Sequence, residues 1–355
     1  MGFPKINIIF KSVASTAVKR GNKGIVLAIL KDATNVALNY EILTAADIPT
    51  GLSAYNKAQL TLIFQGGHTA PKKVIAVVQD AEAVDISASL EYAEKVKFDY
   101  LCMPGATEAE ALQIANSVKA MRSNMEKGVK AVLPNTAADS EGVINFVTDN
   151  IVVGGITYDA ADYCARIAGL LAGTPLTESV TFTQLPDVDD VPRMSQDNAA
   201  ALIDAGKFAL YHDGEKVKVA RAVNSLVNTG ADKGIQFKKI KIVDILDTMR
   251  QDIKMTAEDS YIGKVANSYA NKCLLVNAIN AYFRQLEVEG LLEAGSNKCS
   301  IDVTATSNYL KALGFDVDAM DDAEIKAANT ADKVFLAAVV KPVDAMEEIA
   351  FNVTL

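Results

Sequence analysis

The 355-residue sequence contains no tryptophan and only two histidines, His68 and His212. So few imidazoles leave little material for histidine-based metal sites or for acid–base catalysis near neutral pH. The four cysteines, Cys102, Cys164, Cys273 and Cys299, form no CxxC pair and sit among apolar or small residues. They read as small buried hydrophobes in a reducing compartment, not as a disulfide framework. Long apolar runs are also missing. The longest, Gly24–Leu30 and Phe335–Val340, have the length of core strands and fall well short of the ~20 residues of a membrane helix. The first residues, MGFPKINIIFKS, lack the unbroken apolar core of a secretory signal because Asn7 interrupts it. Met-Gly is followed by Ile6, where a myristoylation signal has Ser or Thr. Positive charge is in deficit, with 35 Lys+Arg against 44 Asp+Glu and a net charge of −9. That balance argues against a general nucleic-acid binder, because phosphate contacts need clustered Lys and Arg.

What is present is core-forming material. Half the residues are hydrophobic and 22% are charged, a composition that buries real cores and excludes disordered or collagen-like chains. The length suits two or three domains at roughly 100–200 residues each. GIVLAIL (Gly24–Leu30) and KKVIAVVQ (Lys72–Gln79) read as buried strands, with a helix between them and the amphipathic SLEYAEKV after them. DYLCMPG (Asp99–Gly105) is a strand with a Pro-Gly stop. Thr107 and Glu110 form a capping box, and Leu112, Ile114, Ala115, Val118 and Met121 follow at helical spacing. KAVLP, then DSEGVINFV, then NIVVGG complete a predicted strand–helix–strand–helix–strand layer of the right-handed βαβ type. YDAADYCARIAGLLAG is strongly helical and ends at Gly173-Thr174-Pro175. ALIDAGKFALYHDGEKVKVARAVNSL predicts a helix and a hairpin turning at Asp213-Gly214. Phe237–Ile253 is predicted to begin as a strand and turn helical, with Lys239 and Lys241 on one polar strand face beside Lys238. Such a face is solvated or docks an acidic partner.

No pattern of catalytic chemistry stands out. GxxxxGK[ST] and GxSxG are absent, and the two glycines of Arg20–Gly24 precede a strand where a phosphate cradle opens a helix. His212 neighbours Asp213 in the hairpin, but a triad needs a Ser brought from elsewhere in the chain. Asp187, Asp189 and Asp190 lack the Gly and terminal Glu of a calcium loop and read as a solvated acidic loop. A second acidic group, Asp316–Glu324, suits a loop and helix N-terminus. No catalytic residue, metal ligand or cofactor is expected, although an α/β enzyme with an unrecognised site stands as the alternative.

Both ends are strand-like. Ile6, Ile8 and Phe10 alternate after Pro4, and Phe351, Val353 and Leu355 alternate to the last residue. Ends normally fray. A terminal strand must pair with something, and pairing outside its own subunit is β-augmentation.

Several stretches resemble contractile phage tail sheath proteins. YDAADYCARIAGLLAGTPLTESVTFTQLPDVDDV is similar to that family's middle block, with Arg166 and Ala168-Gly169 in place. FALYHDGEKVKVARAVNSLVN resembles its hairpin, with Arg221, Asn224 and Ser225. KKIKIVDILDTMRQDI resembles the stretch that follows, and VFLAAVVKPVDAMEEIAFNVTL its C-terminal strand pair. The order and joint presence of these stretches, covering nearly the whole chain, carry the resemblance. The chain looks like a compact member, nearest to sheaths of Gram-positive prophages and phage-tail-like bacteriocins. The resemblance implies a mixed α/β and α+β, multi-domain sheath subunit with extended terminal strand arms. Its parts would be an arm at 1–20, an N-terminal α/β domain at 21–98, a middle α/β domain at 99–195, a tube-facing α+β domain at 196–348 and an arm at 349–355. Such a subunit polymerises in helical rings around an inner tube and contracts to drive the tube through a cell envelope. Its partners would be itself, the tube, the baseplate and the tail terminator, with no nucleic acid and no membrane insertion. It would assemble in a bacterial cytoplasm and end in a released tail or tail-like particle. Ile6, Ile8, Phe10, Phe351, Val353 and Leu355 would be donated to neighbouring subunits, and Arg284 and Lys298 would contact the tube.

Overall fold

The computed structural model describes Val18 and residues 23–33, 38–83, 85–230 and 233–354. The expected arm Pro4–Val13, with Ile6, Ile8 and Phe10, lies outside the described residues, as does Leu355. The chain divides into two compact units. One comprises Gly21–Gln251 with Pro342–Leu355, and the other contains Asp252–Lys341.

The first unit is built on β1 (Ile25–Lys31), β2 (Leu38–Ile42), α1 (Ala54–Gln65), β3 (Lys73–Gln79), α2 (Ser87–Lys95), β4 (Tyr100–Cys102), α3 (Glu108–Asn124), β5 (Lys130–Pro134) and β6 (Val143–Phe146). The chain continues through β7 (Ile151–Val153), β8 (Ile156–Tyr158), α4 (Ala160–Ala172), α5 (Gln196–Asp204), β9 (Lys207–Phe208), β10 (Leu210–His212), β11 (Val217–Val219) and the start of α6 (Ile240–Ser260). A seven-stranded sheet has the order β2-β3-β1-β4-β5-β6-β9. Its strands are parallel except β2, which runs antiparallel to β3.

The apolar run of β1 is explained by its two buried faces. Val26, Ala28 and Leu30 join one cluster with Leu60 and Ile63 of α1 and Ile167 and Leu170 of α4. Leu27 and Ile29 join the other with Leu90 of α2 and Ile114 and Val118 of α3. Alternation thus feeds two helical layers, so Ile25–Leu30 are all apolar and only the half-buried last residue, Lys31, is polar. On the first face α1 and α4 touch backbone to backbone: a Cβ on Gly169 would lie 2.0 Å from the Ile63 carbonyl oxygen. The predicted capping box is present, with Thr107 and Glu110 satisfying each other's backbone N–H groups at the start of α3.

Three stretches depart from the sequence reading. Residues 139–147, predicted as a helix between strands, contain β6, whose four residues are all buried beside β5. The next predicted strand of the layer leaves the sheet. Its residues form β7, which pairs with β8 in a separate hairpin turning through Gly154 and Gly155 at φ +57° and +79°. The polar strand face of Lys239 and Lys241 does not exist, because a short 3-10 turn at Ile235–Lys238 leads directly into α6. Ile240, Val243 and Asp247 then fall at helical spacing, and this outweighs the brief alternation before them. Lys241 is itself buried, and that burial pushes its amine down.

The single sheet also runs through the expected division at residues 98–99, since β1 pairs with both β3 and β4. β9 joins it from beyond residue 195. The two compact units divide within α6 instead, and residues 342–355 return to the first unit.

The start of α6 is held by buried charge. Lys130, the first residue of β5, places its Nζ 3.0 Å from Asp244 Oδ1 and 2.9 Å from Asp247 Oδ2. Arg122 of α3 reaches Asp247 at 2.8 Å, and Lys23, just before β1, reaches Asp244 at 2.7 Å. The hydroxyl of Tyr100, which begins β4, donates to Asp244 at 2.7 Å. Burial would push both carboxyls up, but the surrounding cations hold them below their usual range.

The second unit contains the rest of α6, α7 (Tyr269–Val288), β12 (Lys298–Ile301), α8 (Val303–Ala312), α9 (Asp322–Ala327) and β13 (Leu336–Val339). β12 and β13 form a two-stranded antiparallel ribbon, registered from Lys298 opposite Val339 to Ile301 opposite Leu336. Cys299 and Ile301 point inward and are buried. The side-chain amide of Asn280 closes on the backbone of Cys299, donating to its carbonyl at 3.0 Å and accepting from its N–H at 2.7 Å, which ties α7 to the ribbon. A small core of Leu310, Val317 and Ile325 joins α8, the turn that follows it and α9.

Asp247→Ala leaves Arg122 and Lys130 buried with too little negative charge. It is expected to cost about 3–5 kcal/mol, read from urea unfolding of the full chain. The folded carboxyls of Asp244 and Asp247 titrate below their unfolded value. Their stabilisation is therefore complete above the unfolded pKa and is lost as pH falls through the folded one. Unfolding midpoints measured against pH are expected to fall in acid, and to fall less steeply in Asp247→Ala.

Candidate assembly site at the root of the C-terminal segment

Within the first unit, residues 179–185 run beside β11. Phe182 N–H donates to the Val219 carbonyl at 2.9 Å, and Leu185 N–H to that of Val217 at 3.0 Å. This pairing sets Thr181 next to Ala222, whose N–H donates to the Thr181 hydroxyl oxygen at 3.0 Å. Arg221 lies two residues after the end of β11, and Lys239 immediately precedes α6. Three segments far apart in sequence so converge on one acidic side chain.

That side chain is Glu347. Its Oε1 accepts from the Thr181 hydroxyl at 2.6 Å, and the Ser179 hydroxyl lies 3.2 Å from the same oxygen. Its Oε2 accepts from Arg221 Nε at 3.1 Å and lies 3.3 Å from Lys239 Nζ. Arg221 also bridges to Glu348 at 3.1 Å, and Lys239 pairs with Asp344. The Glu347 side chain is only 8% exposed. Burial would push its carboxyl up, but the Thr181 hydrogen bond and the charges of Lys239 and Arg221 hold it below its usual range. Charge-assisted bonds of this kind are the strong ones.

Past this clamp the chain is uncovered. Ile349 and Phe351 are each 84% exposed and Val353 is 67% exposed. Residues 343–354 have no strand pairing of their own. Of the expected strand at 349–355, residues 349–354 are therefore an unpaired segment in the single chain, and Phe351 and Val353 are the two predicted donor residues of that segment that can be placed. The physical reason is direct: an extended segment acquires strand hydrogen bonds only from a neighbour. Alternation puts Ile349, Phe351 and Val353 on one side if the segment is extended.

The other predicted contact residues are in the second unit. Arg284 is exposed on α7, and Lys298 shares the outward face of β12 with Ser300. The outer strand β13 is largely exposed, with Val339 at 66%. Sequence reasoning missed Glu347, Thr181 and Lys239 as a clamp. The signal available was weak: Arg221 and the stretch around Glu347 were each noticed, but nothing in spacing joins positions more than a hundred residues apart.

The groups weighed for chemistry have structural roles or none. His68 is exposed beside Glu178 at 3.7 Å. Nδ1 of His212 accepts from the Gly214 N–H at 2.9 Å inside the predicted hairpin. Asp187 is bound by Arg166 at 3.0 Å and by the Tyr163 hydroxyl at 3.1 Å, so it is an internal anchor of α4 and not part of a solvated loop. Burial pushes the Cys102 thiol up to about 12 and the Cys164 thiol well above its ordinary value. Both are poor nucleophiles. Among the described residues no cluster of three or more His, Cys, Asp or Glu is arranged to hold a metal ion, and no helix is long and apolar enough to cross a membrane.

An uncovered apolar end rooted in a charged clamp defines a subunit made for assembly, and comparison with known proteins says of what kind. Residues 79–225 match the phage tail sheath protein central domain, and residues 232–355 match the phage tail sheath C-terminal domain. The tail sheath protein of Clostridium phage phiCD119 is 38% identical over 362 residues, covering 100% of this chain and 99% of that protein. The contracted helical sheath of the anti-feeding prophage has the same fold, with a TM-score of 0.76 at 16% identity over 100% of this chain and 99% of that one. A sheath tail protein from Desulfitobacterium hafniense gives a TM-score of 0.70 at 18% identity over 84% and 94% of the two chains. The chain belongs to the phage tail sheath protein family. It is a structural component of a phage tail or phage-like sheath particle, and it is not an enzyme.

Glu347→Gln removes the charge that Arg221 and Lys239 face. At a partly exposed site this is expected to cost about 1–3 kcal/mol of attachment. The readout is limited proteolysis within residues 343–354, expected to quicken by about tenfold, with the melting of the body little changed. Because the Glu347 carboxyl is held low when bound, attachment is lost as pH falls through its bound pKa. Proteolysis of the unaltered chain should quicken in acid, and the Gln variant should be quick throughout.

Proposed function

We propose that this subunit builds a helical sheath by donating its ends to neighbouring copies, and that the resulting sheath contracts around an inner tube. The observation that carries this reading is the uncovered apolar alternation of Ile349, Phe351 and Val353 immediately beyond a fixed root at Glu347. Those side chains gain by leaving water only when another surface covers them. The two-stranded ribbon of the second unit supplies a fitting acceptor. A lone pair of strands is marginal in water, and its edges offer unpaired N–H and C=O groups. Strand addition satisfies donor and acceptor together. Ile6, Ile8 and Phe10 have the same alternation and are assigned the same role at the other end.

A contact between two different surfaces of one subunit does not close on itself and propagates into a filament. In this reading terminal arms at 1–20 and 349–355 serve as links between bodies. Contraction needs two packings of one subunit, the extended one trapped behind a barrier. The bodies move rigidly and the linking segments bend. The remaining partners are the tube, met through Arg284 and Lys298, the baseplate and the tail terminator. The fold shared with a sheath captured in a contracted state supports the reading. Assembly takes place in the bacterial cytoplasm, and the finished tail or tail-like particle is then released.

Deletion of Ile349–Leu355 is expected to give soluble, folded protein that forms no sheaths in negative-stain micrographs; sheaths of normal length would refute strand donation. Arg284→Glu combined with Lys298→Glu is expected to abolish assembly that depends on added tube while leaving the fold intact by circular dichroism. Unchanged tube-dependent assembly would remove these two residues from the tube contact.

A further inference from the structure

On a chain with a net charge of −9, one cleft gathers cations. It measures about 450 Å³ and is lined by Lys119, Arg122, Lys233 and Arg250 against Asp139 and Glu141. Its construction follows from the buried charges at the start of α6. Arg122 bonds to Asp247, which brings α3 against α6. Lys119 lies one turn before Arg122 on α3, and Arg250 one turn after Asp247 on α6, so both are carried to the mouth of the cleft. Arg122 and Lys233 are already engaged, each with Glu141, at 3.3 and 2.9 Å. Asp139 is engaged by the backbone N–H groups of Val227 and Asn228 at 2.7 and 2.9 Å. Lys119 and Arg250 make no direct ion pair among the described residues, although the charge of Lys119 helps hold the Asp139 carboxyl below its usual range after the Val227 and Asn228 hydrogen bonds. Arg122 is neutralised by Asp247 and Glu141 and Lys233 by Glu141, so the positive charge left over at the cleft rests on Lys119 and Arg250.

The matching surface is on the same chain. Asp316, Asp318, Asp321, Asp322 and Glu324 place five carboxylates within nine residues, all exposed. Asp321 and Glu324 cap α9 reciprocally, and Asp318 pairs with Lys311 at 2.8 Å. Asp316 and Asp322 have no partner among the described residues. Two unpartnered carboxylates thus stand against two unpartnered cations.

We propose that the cleft of Lys119 and Arg250 receives the acidic segment 316–324 of a second copy. The inference rests on the sheath reading, in which every subunit meets copies of itself, and adds a charged contact separate from the donated strands. Lys119 and Arg250 bind the carboxylates of Asp316 and Asp322, and the pair fixes the register between neighbours. Complementary charges at an interface govern encounter and register more than total affinity, so this contact is salt-sensitive.

The test starts from the unaltered full-length chain, whose polymer is measured by sedimentation and negative stain. Lys119→Glu with Arg250→Glu is expected to lower the polymer yield at least tenfold while leaving the thermal melt of the subunit in place. Adding Asp316→Lys and Asp322→Lys to that chain is expected to restore it, because every copy then carries the swapped pair. A second measurement avoids the charge changes: Arg250→Cys with Asp322→Cys is joined in assembled material by a short bismaleimide. It is expected to give a ladder of dimers and higher species on denaturing gels that needs both cysteines. Polymer unaffected by the basic reversal, no restoration by the acidic one, or a joined product confined to the monomer band would each overturn the proposal. Failure of the unaltered chain to polymerise either alone or with added tube would remove the self-assembly reading and this contact with it.

Discussion

The structure of the first unit turns on Lys130. A lysine at the first position of a central strand is buried under α6, and it can remain charged there only because Asp244 and Asp247 face it at 3.0 and 2.9 Å. Desolvating an ammonium costs several kcal/mol, so removal of either carboxylate would leave a charge the interior cannot tolerate. The two aspartates are three residues apart, so with residues 240–251 helical both fall on the face turned to Lys130 and fix which face meets the sheet. Apolar packing would hold a helix here. It would not choose its rotation or its axial position so narrowly, because hydrophobic contact is not directional.

The consequences pass outward from that choice. Lys239 stands immediately before α6, so fixing the helix fixes the cation that meets Asp344 and Glu347. The C-terminal segment is therefore rooted in the same unit as the sheet, although residues 252–341 intervene in sequence. The clamp is polar and partly exposed, whereas the segment beyond it is apolar and uncovered. A firm root with an apolar free end limits the directions in which a neighbour can be met, and so lowers the ordering cost of meeting it.

Much of this was legible in the sequence where the signal was local. The two-faced burial of β1 follows from an apolar run without polar breaks, and the cap of α3 follows from Thr107 and Glu110. The turn of the β10–β11 hairpin follows from Asp213-Gly214. Reading failed where local pattern and tertiary placement disagreed. Val143–Phe146 is too short for its period to separate helix from strand, and it became a strand because β5 offered an edge. Lys239 to Ile242 alternated like a strand, yet the longer helical spacing through Asp247 prevailed. The clamp was illegible for a different reason. Thr181, Arg221, Lys239 and Glu347 belong to four separate stretches, each ordinary alone, and only the pairing of residues 179–185 with β11 brings them together.

Charge of both signs therefore has two uses in this subunit, separated by burial. Where water is excluded, at Lys130 and its aspartates, charge specifies one arrangement and resists change. Where water has access, at Lys119 and Arg250, charge is weaker and can be exchanged for a different partner at modest cost. A sheath subunit needs both properties, because its body must survive a rearrangement that its contacts undergo. Under the proposed assembly, the buried pairs inside the α/β unit and at the segment root belong to the part that keeps its shape, and the exposed charges of the cleft to a part that changes neighbours. Few histidines and no tryptophan accord with that division: the work is done by where ordinary lysines, arginines and carboxylates are buried.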